Sequence, residues 1–140
     1  MATVIDASVM VAFLLRNEDN SRYARRIVER LDREELIVPR IFWYEVRNVL
    51  LKAKRNNRIG QQDFEACLIQ LTDEISPTED GRNDDARTLD LALRHNLTVY
   101  DASYLETAIR HKAKLATFDQ RLTIAASQER IENPAVEFDA

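Results

Sequence analysis

The apolar positions near the start of the chain form an almost unbroken run, "TVIDASVMVAFLL" over residues 3–15, interrupted by one charge at Asp6. The β-branched opening is short and is followed at once by helix-compatible residues. It predicts a buried strand that turns directly into a helix, with Asp6 at the strand's carboxyl end. From Asn20 to Arg33 the pattern changes to one apolar residue per helical turn, Tyr23, Ile27 and Leu31, with Arg22, Arg25, Arg26 and Arg30 mostly off that stripe. An amphipathic helix with a basic outer face is expected there.

"LIVP" reads as a second short strand, and Pro39 suits the entrance of a helix from about Arg40 to Arg55. That helix would bury Phe42, Val46, Val49, Leu50 and Ala53. A further helix is expected in "QQDFEACLIQLTDEI", and "SPTEDGRN" is the clearest loop. The next helix, about Asp84 to His95, carries Ala86, Leu89, Ala92 and Leu93 on one face and stops at Asn96. The opening pattern then returns. "LTVYDASYLETAI" again places strand, aspartate and helix in order, and "KLATFDQRLTIAA" is a third such junction. Strands alternating with helices predict an α/β fold whose parallel sheet is covered on both faces.

Composition narrows the possibilities. A chain of 140 residues with 45% hydrophobic and 31% charged residues, only 2 Gly and 3 Pro, is neither disordered nor low-complexity. It is expected to form one domain over 1–140. A single cysteine, Cys67, excludes an intramolecular disulfide framework, and with only His95 and His111 beside it a Cys/His zinc site cannot be assembled. Cys67 reads as a small core residue and the two histidines as neighbours of helix C-termini. With no signal-like opening and no apolar run near the ~20 residues that span a bilayer, a soluble, cytoplasmic protein is expected, with no membrane partner. The net charge of −4 argues against polyanion binding by the whole surface, though not by local clusters.

Chemistry centres on the acids. Ligands of open parallel sheets bind outside the strands' carboxyl ends, where Asp6, Asp101 and Asp119 are expected to lie. Each could instead be a simple helix N-cap. None is followed three residues later by Glu or Gln, since Val9, Tyr104 and Leu122 stand there, so no reciprocal capping box forms. Glu45 is harder to dismiss, because it lies inside a helix at the edge of an apolar stripe, where capping cannot account for it. Four acids brought together repel one another unless a cation relieves them, and hard carboxylate oxygens suit Mg²⁺ or Mn²⁺. Such an ion activates water and neutralises a phosphodiester, so phosphodiester hydrolysis is the chemistry to expect.

"VIDASVMVAFLL", "YEVRNVL" with Glu45, "VYDASYLETA" with Asp101 and "LATFDQRL" with Asp119 resemble, in this order and across nearly the whole chain, a PIN-domain ribonuclease of the VapC toxin type. The resemblance implies a PIN-like α/β/α sandwich with a central parallel sheet and Mg²⁺- or Mn²⁺-dependent endoribonuclease activity. Asp6, Glu45, Asp101 and Asp119 match the family's acids, as catalytic and metal-binding residues, and Ser8, Thr117 and Asn48 match the polar groups often found beside them. It also implies an RNA substrate, a cognate antitoxin protein and a homodimer.

Other readings make poorer matches. An aspartyl-phosphate phosphatase would want a second acid where Ser8 stands, and a receiver-like signalling domain would want an acidic pair where Ile5 precedes Asp6. A DNA nuclease or other metal-dependent phosphodiesterase stays open, as does a binding module with three capping aspartates, against which Glu45 argues. For the RNA backbone the candidates are Arg22, Arg25, Arg26, Arg30, Lys52, Lys54, Arg55, Arg58, Arg110, Lys112 and Lys114. Trp43 and Tyr44, flanking Glu45, suit either the core or an interface.

Overall fold

Among the described residues four short strands, β1 (Thr3–Ile5), β2 (Leu36–Pro39), β3 (Thr78–Asp80) and β4 (Lys114–Ala116), make one sheet in the order β3-β2-β1-β4. Every neighbouring pair is parallel, with Thr3 facing both Leu36 and Lys114 and Ile37 facing Thr78. The computed structural model describes residues 2–16, 20–30 and 35–135. Helices α1 (Ala7–Leu14) and α2 (Ser21–Arg30) connect β1 to β2, and α3 (Ile41–Arg55) and α4 (Gln61–Ile69) connect β2 to β3. α5 (Asp85–His95) and α6 (Val99–His111) lead to β4, and α7 (Gln120–Gln128) follows it. This is the α/β/α arrangement that the alternating pattern predicts. No helix among the described residues is long and apolar enough to cross a membrane.

The core forms where the sequence concentrates apolar residues. Val4 and Ile5 of β1, Val9 and Met10 of α1, and Phe42, Val46 and Leu50 of α3 are fully enclosed, as are Leu105 and Ala108 of α6 and Leu115 of β4. The helix α6 lies against β1, β2 and β4 and is buried along seven consecutive residues from Ala102 to Ala108. Chain order reverses direction across the sheet at the β1–β4 pair, since β2 and β3 are added on one side of β1 and β4 on the other. That is where an open parallel sheet leaves a crevice beyond its carboxyl ends.

Several expectations need correcting. "LTVY" is not a strand: Asn96 ends α5 in the left-handed conformation, φ 52°, and Thr98 already caps α6. The connector is too short for a strand, and Val99 and Tyr100 are 50% and 57% exposed, where a central strand would bury them. Asp101 therefore lies in the first turn of a helix, not at a strand end. The missing strand is β3, inside "SPTEDGRN", which reads as loop because an edge strand in water carries polar residues. In α5 the buried face is Thr88 and Leu91, while Leu89 and Leu93 are 53% and 83% exposed. The helix expected over 61–75 is α4, loosened into a π-helical turn at Gln70–Ile75. The last residues of the helix expected to reach Arg33, from Leu31 on, lie outside the described residues.

Candidate active site

Asp6 leaves β1 at the β1–β4 crevice and caps α1, its Oδ1 accepting from the Val9 backbone N–H at 3.2 Å. The side chain is only 5% exposed. Ser8 Oγ donates to the same oxygen at 2.6 Å, and Thr117 Oγ1 donates to Oδ2. These hydroxyls are themselves held: Ser8 Oγ accepts the Phe118 N–H and Thr117 Oγ1 accepts the Asp119 N–H, both at 3.0 Å. The loop after β4 is thus tied to the loop after β1 through two hydroxyls that meet on one carboxylate.

Asp119 caps α7 by accepting from the Leu122 N–H at 2.8 Å. Capping and a place in the site are therefore compatible for Asp6 and Asp119. Asp101 is no cap. Thr98 Oγ1 caps α6 by accepting the Asp101 N–H at 3.0 Å, which leaves the Asp101 carboxylate without a capping duty. Glu45, half-buried on α3, accepts from the hydroxyl of Tyr104 at 2.9 Å.

The four acids sense one another in sequence. Burial raises the Asp6 carboxyl to about 6, against the pull of Ser8, Thr117 and Val9, and the Glu45 charge raises it further. Burial also raises Glu45, with Asp101 adding to it and the Tyr104 hydroxyl opposing. Asp101 is raised by burial and then by Asp119, with Thr98 and Arg121 pulling the other way. Tyr104 is itself driven far above the usual phenol range by burial and by the charges of Glu45 and Asp6. Glu106 provides the contrast. Fully buried on α6, it is neutralised by Arg110, whose Nε lies 2.7 Å from Oε1, and it also accepts from Asn83 at 2.5 Å. A buried acid with a guanidinium against it is structural; the Asp6 to Asp119 chain is held by hydroxyls, amides and helix N-termini instead.

That donor set fits a divalent cation: hard oxygens from the loops after β1 and β4 and from the adjoining helices, carrying mutual repulsion that a cation relieves. Among the described residues no three acidic, His or Cys side chains are drawn together tightly enough to chelate an ion by themselves. An ion held partly through its own waters, as Mg²⁺ prefers, suits that spacing.

Ser8 and Thr117 take the supporting places expected of them. Asn48 does not: it is exposed on α3 and bonds to none of the four acids. Arg110 leaves the set of RNA-contact candidates because Glu106 and Asp80, the latter 2.5 Å from Nη1, engage it. Cys67 is buried, as expected, and both histidines lie in last helical turns. Trp43 packs edge-on against Phe42 with ring centroids 5.2 Å apart, and Tyr44 is exposed.

Two supporting residues escape the sequence reading. Tyr104, fully buried, accepts a hydrogen bond from the Ala7 N–H and donates its own O–H to Glu45, so it links α1 to α3 beneath the acids. Its signal was available, since a phenol one helical turn after Asp101 on a buried face needs a polar partner. Asn133 braces the Thr117 backbone from both sides, accepting its N–H at 3.2 Å and donating to its carbonyl at 3.0 Å. No pattern in "ENPAV" announces it.

Comparison with known proteins identifies the family. The PIN domain family model matches residues 3–127. Ribonuclease VapC3 of Pyrobaculum aerophilum is 32% identical over 126 residues, 87% of this chain and 92% of that protein. Among solved structures, VapC20 of Mycobacterium tuberculosis, a sarcin–ricin-loop-cleaving toxin, superposes with a TM-score of 0.65 at 15% identity, covering 88% of this chain and 94% of that one. A toxin–antitoxin complex from Klebsiella pneumoniae gives 0.61 at 19% identity, covering 84% and 86%. The chain belongs to the PIN-domain family, in its VapC group.

Proposed function

We propose that this protein is a VapC-type endoribonuclease, the toxin of a toxin–antitoxin pair, hydrolysing RNA phosphodiester bonds with Mg²⁺ or Mn²⁺ held at Asp6, Glu45, Asp101 and Asp119. The observation that carries the reading is the row of mutually repelling carboxylates at the β1–β4 crevice, held by hydroxyls and amides. A bound cation supplies the activated water and the charge neutralisation that phosphodiester hydrolysis needs. The chain's own task is to hold the acids still. Ser8 and Thr117 fix both oxygens of Asp6, Tyr104 fixes Glu45, and the α7 N-terminus fixes Asp119. Family membership supports ribonuclease activity and a protein antitoxin as partner. A homodimer is favoured by the exposed apolar side chains Leu89, Leu93, Val99 and Tyr100 on the packed α5–α6 pair.

Calorimetric titration of Mn²⁺ tests the site itself. Wild type binds, and Glu45→Gln, which keeps size and hydrogen-bonding capacity, binds at least about tenfold more weakly. Equal binding by the two, or none by either, overturns the assignment.

A further inference from the structure

Beside the acids, between α1, α3 and the loop after β4, lies a cleft of about 340 Å³ that the chemistry above leaves unused. Its size falls in the usual range for small-ligand pockets. Val11, Ala12, Val49 and Phe118 are its apolar lining residues, and Ser8, Asn20 and Arg58 complete the lining. Ser8 belongs to both cleft and site: its Oγ donates to Asp6 at 2.6 Å and accepts the Phe118 N–H at 3.0 Å. Phe118 packs partly on the core and sits between Thr117, which holds Asp6, and Asp119. The backbone that carries the ring is therefore held beside the acids by the same two hydroxyls that hold Asp6.

We propose that this cleft receives one unpaired nucleobase of the RNA strand, stacked on Phe118, next to the phosphodiester under attack; the assignment rests on the ribonuclease reading. Three features select that occupant. The cleft adjoins the acids through Ser8, so a base that fills it lies beside the phosphodiester held at the acids. An aromatic side chain with aliphatic neighbours suits the π-face of any base, while the Asn20 amide can meet a base edge. A chain of net charge −4 with an acidic site also needs affinity for RNA that does not depend on charge alone. A base inside a duplex has its faces covered by its neighbours and cannot enter, so the cleft confines cutting to single strands and loops.

The test is a double cycle between protein and RNA. Wild type and Phe118→Leu, which keeps an apolar side chain but removes the ring, are assayed in Mn²⁺ on an unstructured oligoribonucleotide and on versions lacking the base on either side of the cut. Phe118→Leu is expected to raise KM about 5- to 100-fold with kcat within about threefold, and Phe118→Trp to stay near wild type. One abasic RNA should show the same loss with wild type and no additional loss with Phe118→Leu. Fluorescence anisotropy of RNA binding in Ca²⁺ reads the same factor without requiring cleavage. An unchanged KM and Kd in Phe118→Leu, or an abasic penalty that persists in full there, overturns the nucleobase site, as it would if the cleft served a protein segment. A fall in kcat alone, shared by the Leu and Trp variants, also overturns it, because Phe118 would then be a prop for Asp119. Absence of cleavage by wild type on every RNA counts against the ribonuclease reading instead, while the anisotropy comparison still decides the cleft.

Discussion

Replacing Asp6 by Asn removes the most deeply buried charge of the site, and the structure fixes the sign and size of the effect. The folded protein holds the Asp6 proton up to about pH 6, against 3.8 for a free aspartate. At 1.36 kcal/mol per pH unit, ionising this group costs the folded state about 3 kcal/mol by neutral pH. Because the folded pKa lies above the unfolded one, the unfolded state binds fewer protons between these values, and stability falls as pH rises from about 4 to about 6, then stays level. Asn carries no such cost. Its amide still caps the Val9 N–H, but its NH₂ must face the Thr117 hydroxyl, which already accepts from Asp119, and the mismatch costs about 1–2 kcal/mol. Asp6→Asn should therefore be about 1–2 kcal/mol more stable than wild type at pH 8, and equal or less stable at pH 4. Urea unfolding at both pH values in EDTA measures this. A variant less stable at both, or one whose difference from wild type does not change with pH, refutes the electrostatic account of the site.

Tyr104→Phe leaves Glu45 without its hydroxyl donor and should weaken Mn²⁺ binding about tenfold by calorimetry, with wild-type affinity as the contrary outcome. Asn133→Ala strips the buried Thr117 N–H and carbonyl of their partners and should cost about 2–4 kcal/mol in urea unfolding, and a loss under 0.5 kcal/mol would show that the brace is dispensable. Light scattering should give a dimer mass at working concentration, and a monomer with full activity contradicts the proposed assembly.

How far the sequence could be read depended on whether local pattern and tertiary role agreed. At Asp6 and Asp119 they do: a strand too short to reverse, followed at once by a helix, forces the intervening acid to the carboxyl end of the sheet. Glu45 was legible because a carboxylate bordering an apolar helical stripe needs a reason. Around Asp101 they disagree. "LTVY" has the composition of a strand, yet the left-handed turn at Asn96 and the Thr98 cap leave no length for one, so α5 runs almost directly into α6. β3 was hidden for the opposite reason, since "TED" at an exposed sheet edge needs no apolar residues. Leu89 and Leu93 followed a helical period that in α5 does not point at the core. Tyr104 and Asn133 act across distances of 59 and 16 residues, and such pairings exist only once the chain has folded.

The most direct measurement is RNA cleavage by purified wild type and Asp101→Asn. Asp101 suits the purpose because it caps no helix, so its neutralisation leaves the fold intact and only the site changed. Wild type should cut single-stranded RNA in Mn²⁺, spare the matching DNA and stop in EDTA. Asp101→Asn should melt within a few degrees of wild type and cut at least about a hundredfold more slowly. Cleavage by Asp101→Asn at the wild-type rate, or undiminished cleavage in EDTA, would contradict a metal-dependent ribonuclease built on these four acids.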